Sequence, residues 1–216
     1  GMGVSFFSIG NIYNQKEDLD KALDYYNRSL AISKELGSKL GMVLGFGNIG
    51  SVYTLKGDYD KSLDYFKRSI AIYEELGDKR GMGITLNNIG VLQYYKGAYD
   101  KAIEYLEKSL VITKEIGFKL IELFTTTYLY LSYKHLSKDY DVNEIHSLIK
   151  ETENIKFELN FRLYQLLEES SYLETAHTQV QNKVSAMVKE LAEKYLSYPI
   201  PKAIVAEWEK VSKVKN

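Results

Sequence analysis

Large apolar residues recur along this chain at two spacings, one of three to four residues and one of forty. Leu63, Phe66 and Ile70 lie three and four apart, the signature of one buried helix face. Phe46, Ile49 and Tyr53 do the same in the preceding segment, so helices are predicted at about 38–55 and 61–76. Between them, Lys56-Gly57-Asp58-Tyr59-Asp60 supplies a helix-stopping glycine and an aspartate N-cap. Gly37, Gly77 and Gly117 end the second helix of each block, and no proline occurs before Pro199. Laid in three rows, Gly1–Leu40, Gly41–Arg80 and Gly81–Leu120 align without gaps. The first two rows agree at 21 of 40 positions and the second and third at 16. A period of this length predicts stacked helix pairs, an all-α solenoid.

One column holds Gly10, Gly50 and Gly90 in mid-helix, where glycine costs up to about 1 kcal/mol against alanine. Twelve residues later stand Ala22, Ser62 and Ala102. The expectation is a close approach of two helices, small residue against small residue. Aromatic columns surround that contact, Tyr25, Tyr65 and Tyr105 among them.

The order Phe46, Ile49-Gly50, Tyr53, Ser62, Phe66 resembles the tetratricopeptide signature. The family's closing proline is absent, with Lys34, Glu74 and Lys114 in its place. The forty-residue period and the Leu-Gly-Asp-Lys-Arg-Gly-Met linker (76–82) are similar to a long-repeat branch. That branch includes the Partner of Inscuteable group, the kinesin light chains and many microbial signalling proteins. The resemblance implies a right-handed superhelix whose first helices line a concave groove. It covers residues 1–120 strongly and 121–178 weakly.

Beyond Leu120 the code decays. Residues 119–136 read as the first helix of a fourth unit, and Asp141 with Glu144 as a capping-box start to a helix through Lys150. Phe157, Phe161, Tyr164 and Leu167 form another stripe. A single long helix is expected from Ser171 to about Leu196, then a Pro199-Ile200-Pro201 break and a short helix, Lys202 to Val211. The units are therefore 1–120 (three clear repeats), 121–178 (degenerate repeats) and 179–216 (long helix, proline break and capping helix). A terminal cap suits a solenoid, whose end must be closed. Gly1 before Met2 reads as a tag remnant, and the start within a repeat suggests a domain taken from a longer protein.

Composition narrows the chemistry. Net charge is −1, with 28 basic and 29 acidic residues, so no general attraction to nucleic acid or anionic membrane is expected. The absence of cysteine removes disulfides and thiolate metal sites and fits a cytoplasmic protein. No apolar run reaches membrane-spanning length. His135, His146 and His177 form no ligand pair, so no metal or other cofactor is expected. Gly45-Phe46-Gly47-Asn48-Ile49-Gly50 spells GxGxxG but falls within a helix, where no dinucleotide site forms. No catalytic constellation is visible, and the chain reads as non-enzymatic. Residues 141–175 hold eight acids against three bases, and 181–216 seven lysines against four acids. The two stretches read mainly as solvated faces, or else as pairing with each other or with a second copy.

By resemblance, the groove is lined by Asn11, Asn14 and Gln15, then Asn48 and Ser51, then Asn87, Asn88, Tyr94 and Tyr95, then Lys134 and His135. Asparagine offers both an acceptor and donors to peptide backbone. The carboxylate clamp of Hsp70/Hsp90 co-chaperones is not expected, because Phe7, Ile84 and Asn88 stand where that clamp needs cations. The sequence thus points to a scaffold that holds a protein or peptide in its groove. A regulatory or sensor module of a signalling protein and a self-assembly module are the alternatives. The peptide-pheromone sensors of Gram-positive bacteria are a weaker fourth reading.

Overall fold

In a computed structural model the chain is described over residues 2–214, which leaves Gly1 outside the described residues. The described residues form helices and connecting turns. The first seven are α1 (Met2–Gln15), α2 (Leu19–Glu35), α3 (Lys39–Lys56), α4 (Tyr59–Leu76), α5 (Lys79–Tyr95), α6 (Tyr99–Glu115) and α7 (Lys119–His135). The next five are α8 (Val142–Lys150), α9 (Phe157–Leu167), α10 (Ser170–Ser185), α11 (Lys189–Ser197) and α12 (Pro199–Val214). α1 packs on α2, α3 on α4 and α5 on α6, and each pair stacks on the next, the all-α solenoid that the period predicts.

The punctuation is as the sequence implies. Gly57 ends α3 with φ +80°, and Asp58 caps α4 by accepting from the Lys61 N–H at 3.3 Å. Exposed ion pairs thirty-six residues apart tie successive repeats: Lys56–Asp20 at 2.6 Å, Lys39–Glu75 at 2.7 Å and Lys79–Glu115 at 2.8 Å. Such surface pairs contribute about 0–1 kcal/mol each. Burial does most of the work, with Tyr26, Ile49, Leu92 and Leu106 fully enclosed.

The glycine column marks the expected close approach of two helices, but what sits on the glycine is a large side chain rather than the small residue. A Cβ on Gly50 would lie 2.9 Å from the Phe66 ring, and one on Gly10 would lie 2.7 Å from the Tyr26 ring. The glycines make room for a large side chain. The small residue Ser62 serves the backbone instead, donating its hydroxyl to the Gly50 carbonyl at 2.7 Å.

The C-terminal third also departs from expectation. The single helix foreseen over 171–196 is two, α10 and α11, separated at Ala186–Val188. The Pro-x-Pro segment starts a helix rather than interrupting one. Pro199 and Pro201 fall in the first turn of α12, where no N–H is needed. Tyr198, extended at φ −67°, ψ 149°, obeys the constraint on a residue before proline. Glu144 does not complete a capping box; its carboxylate takes the Tyr130 hydroxyl and pairs with Lys114. Among the described residues no ion pair joins the basic and acidic C-terminal stretches. Lys183 pairs with Glu17 and Lys194 with Asp20, both in the first repeat.

Those two pairs report the main event of the fold. α9 packs on α7, α10 on α9, and α12 returns to α3. One core cluster joins Leu19, Tyr26 and Phe46 of the first repeats to Phe161, Leu173, Tyr195 and Ile204 of the last helices. The C-terminal helices lie against the side of the array formed by the first helices of the repeats.

Candidate functional site

The contact between the returning helices and the array centres on Arg162 of α9, which is only 6% exposed. Its Cζ lies 5.1–5.8 Å from the ring centres of Tyr94, Tyr95, Tyr128 and Phe161. Its Nε donates to the Tyr128 hydroxyl at 3.2 Å. That hydroxyl donates to Glu158 Oε1 at 3.0 Å, and the Tyr95 hydroxyl reaches the same oxygen at 2.7 Å. Burial pushes the phenols of Tyr95 and Tyr128 well above their ordinary value, so both remain neutral donors. An enclosed cation and a carboxylate are thus joined through two tyrosines.

Lys134 closes the far end of α9. Its ammonium donates to the carbonyls of Gln165 at 3.0 Å and Leu166 at 3.2 Å, and pairs with Glu168 at 2.7 Å. His135 stacks on Tyr99, ring centres 4.2 Å apart, and its Nε2 lies 3.4 Å from the Tyr94 hydroxyl. Tyr94, Tyr95, Lys134 and His135, expected on an open groove, therefore hold the chain's own helices together. Asn87 is equally committed, accepting from Thr125 at 2.8 Å in the core. Asn11 accepts from the Tyr26 hydroxyl at 2.8 Å.

The remaining expected residues border space that the returning helices leave unfilled. A cavity of about 570 Å³ lies between α1 and the α9–α10 pair, lined by Asn14, Gln15, Glu17, Leu55, Gln179, Asn182 and Lys183. Leu55 and Glu158 also line a second, of about 180 Å³, with Ser51, Asn88, Tyr95 and Ile200. Ser51 and Asn88 in turn border a third, of about 190 Å³, beside Asn48. They form a row, the channel, along α1, α3 and α5: the first two lie beneath α9, α10 and the start of α12, and the third, walled by α3, α4 and α5, adjoins the second at Ser51 and Asn88. Asn48 donates to the Leu44 carbonyl at 2.8 Å and Ser51 to the Gly47 carbonyl at 2.9 Å, within their own helix. Asn14 Oδ1 is buried with no hydrogen-bond partner.

Glu17 marks the wider end. It stands where the next two repeats have Gly57 and Gly97, and it adopts the same left-handed backbone at φ +59°. A side chain there is disfavoured; its buried carboxylate pairs with Lys183 of α10. Arg162, Gln179 and Asn182 were not foreseen. The available signal was α9 itself, Phe-Glu-Leu-Asn-Phe-Arg-Leu-Tyr-Gln-Leu-Leu, where Glu158, Arg162 and Gln165 fall at i, i+4 and i+7 as one narrow polar stripe in an otherwise mostly apolar helix. Among the described residues no group of three His, Cys, Asp or Glu side chains could hold a metal, and no helix is long and apolar enough to cross a membrane.

Two family profiles, both described as tetratricopeptide repeat, match residues 4–36 and 40–115, together about half of the chain. The chain belongs to the tetratricopeptide repeat family. Solved structures agree on the fold. The apo form of RapI superposes with a TM-score of 0.69 at 16% identity, covering 97% of this chain and 65% of RapI. This tetratricopeptide chain therefore spans just under two thirds of RapI. A putative kinesin light chain from Podosopora anserina, with nearly identical TPR-like repeats, gives 0.55 at 16% identity over 94% of each chain. A STAND protein with a tetratricopeptide repeat sensor from Pyrococcus horikoshii gives 0.55 at 18%, covering 94% of this chain and 30% of that one. A search of curated protein sequences gave no match.

Proposed function

We propose that this tetratricopeptide chain is a peptide-binding interaction module, and that its ligand is a short extended segment of a partner protein held in the channel beneath the C-terminal helices. The fold is one that serves protein–protein interaction. The observation that carries the finer reading is the set of amide side chains on the channel wall, Asn14, Gln15, Asn48, Asn88 and Asn182, with Asn14 Oδ1 buried and unpartnered. A buried acceptor without a donor costs about 1–3 kcal/mol, which an incoming backbone N–H would recover. Amides can serve both the N–H and the C=O of an extended backbone whatever its side chains.

Selection from a displayed library of random peptides against the purified protein tests this. Selected peptides are expected to lose about five- to tenfold in affinity for each of Asn14→Ala, Asn48→Ala and Asn88→Ala, corresponding to about 1 kcal/mol per hydrogen bond. Helicity is expected to stay unchanged. Undiminished affinity in the triple variant would remove the channel from consideration.

The closure of the channel by α9, α10 and α12 favours a second reading, a sensor, in which filling the channel displaces those helices. Trp208, the only tryptophan, stacks on His177 of α10 with ring centres 4.9 Å apart, so its emission reports the α12–α10 contact. A ligand that binds without changing that emission would leave the scaffold reading alone.

A further inference from the structure

Successive repeats fill the same junction in different ways. Positions 33 and 73, late in α2 and α4, face positions 41 and 81 near the start of α3 and α5, and 113 and 121 align with them in α6 and α7. In the second junction Tyr73 faces Gly81, and its ring lies where a Cβ on that glycine would stand. In the third, a small residue, Thr113, is matched with a large one, Ile121. In the first, both are small, Ser33 and Gly41, and Gly3 stands in the column that holds Val43 in the second repeat and Gly83 in the third. The consequence is a cavity of about 620 Å³ walled by Met2, Val4, Phe7, Ile32, Leu36 and Leu40. The equivalent place in the second junction, where Tyr73 stands, keeps about 190 Å³.

Interiors pack to near-crystalline density, so a space that the next repeat fills with a tyrosine is a specific omission in the first. The apolar residues around it are turned outward: Leu36 is 76% exposed, Leu40 63% and Val4 70%. Single exposed leucines need no explanation, but a cluster around a cavity marks a contact surface. Leu44 borders both this cavity and the one beside Asn48, so the two are neighbours on the same face of the array.

We propose that this cavity is a specificity pocket for one aromatic side chain, phenylalanine or tyrosine, carried by the peptide segment that occupies the channel. The carrier rests on the peptide-channel reading. The shape and chemistry of the pocket rest on the comparison between repeats, in which Tyr73 already shows the group that fits.

The test uses p-cresol, the tyrosine side chain as a free molecule, and the methyl signals of isotopically labelled methionine in the full chain. Four methionines give four signals, and Met2 lines the pocket. p-Cresol is expected to shift Met2 saturably, at roughly millimolar concentration for so small a ligand. Ser33→Tyr, which supplies the ring from within as Tyr73 does, is expected to weaken that response at least about tenfold. Gly41→Ile copies the third junction and should do the same should Ser33→Tyr misfold. Tyr73→Ser should open a second site and bring a new shift at Met42, which stands one repeat after Met2.

No Met2 shift in the natural chain, or a shift that survives both filling variants, overturns the proposal. A Met2 shift that grows with protein concentration alone and disappears in Ser33→Tyr assigns the cavity to a second copy and also overturns it. Peptides selected on the natural chain should carry an aromatic residue that those selected on Ser33→Tyr lack. Should selected peptides that depend on Asn14, Asn48 and Asn88 fail to compete with p-cresol, the proposal is overturned while the peptide-channel reading stands; should no peptide depend on those residues, it is the channel reading that falls.

Discussion

Replacing Arg162 by leucine removes a guanidinium from a site that gives it almost no water. Leucine restores much of the apolar volume, so the loss is chiefly electrostatic. The variant gives up the Nε bond to Tyr128 at 3.2 Å, the contact with Gln165 and the attraction of four aromatic faces. It also leaves the Glu158 charge beside Tyr95 and Tyr128 without its compensating cation. Breaking a buried charge pair on one side costs about 3–5 kcal/mol. Each desolvated cation–π contact adds up to about 2 kcal/mol, but the link to Glu158 runs through a tyrosine, so about 3–5 kcal/mol is the whole expectation. With a urea dependence of about 1–3 kcal/mol per molar, the midpoint should fall by at least about 1 M. Trp208 emission would follow the C-terminal helices, and far-ultraviolet circular dichroism the whole array. The Trp208 transition should move ahead of the helical one, because Arg162 fastens α9 and not the first repeats. Glu158→Gln in the same background should recover about 1–3 kcal/mol, since neighbouring members of one network are not additive. A Trp208 midpoint displaced by less than about 1 kcal/mol equivalent, or a double variant as costly as the sum of the singles, would refute the network.

Two further predictions concern how the returning helices are seated. Gly57→Ala and Gly97→Ala both place a side chain on left-handed backbone, at φ +80° and +73°, which costs about 1–2 kcal/mol. Only at Gly57 does the new Cβ also meet another atom, Pro199 Cγ at 2.9 Å, so Gly57→Ala should be the more destabilising in urea titrations; equal costs would argue against Pro199 resting there. Lys194 and Lys56 hold the Asp20 carboxyl down at about 2. Because this lies below its unfolded value of about 3.9, the contribution is complete above that value and disappears as pH falls towards 2. The Trp208 emission of the natural chain should therefore change over that interval, and Asp20→Asn should show the altered emission already at neutral pH. Superimposable profiles for the two proteins would show that the Lys194–Asp20 pair does not hold α11.

The repeats were legible because each forty-residue block carries its own evidence. The spacing of Leu63, Phe66 and Ile70, the stop at Gly57 and the cap at Asp58 are local signals, and repetition confirms them within one sequence. The return of α9–α12 was not legible, because it depends on partners more than a hundred residues apart. Nothing in Ala186-Met187-Val188 announces a helix break, since the sequence there has neither proline nor glycine; the bend follows from packing Tyr195 and Ile204 against the first repeat. The groove residues divide for the same reason. Alignment shows which side chains share a helix face, but not which of them another segment will cover. Tyr95 and Asn14 have the same sequence credentials; the first is fixed under Arg162, and the second faces the amide-lined cavity.

A repeat protein also carries an internal control that a single sequence otherwise lacks. Where all three copies agree, the residue serves the stack, as Ile49 and Ile89 do in the core and the half-buried Ile9 does in α1. Where one copy departs while its sisters show the ordinary solution, the departure needs a cause outside the stack. Glu17 stands in place of glycine on left-handed backbone, against its conformational preference, and the cause is Lys183 on the returning α10. At the 33/41 junction the three copies carry Ser33, Tyr73 and Thr113; beside Ser33 a cavity of about 620 Å³ remains where the Tyr73 junction keeps about 190 Å³, and no side chain of the described residues fills it. The first exception is explained by a partner within the chain. The second has the same form, a local cost at a junction whose sister is filled, and an external aromatic group is the partner that the sister junction specifies.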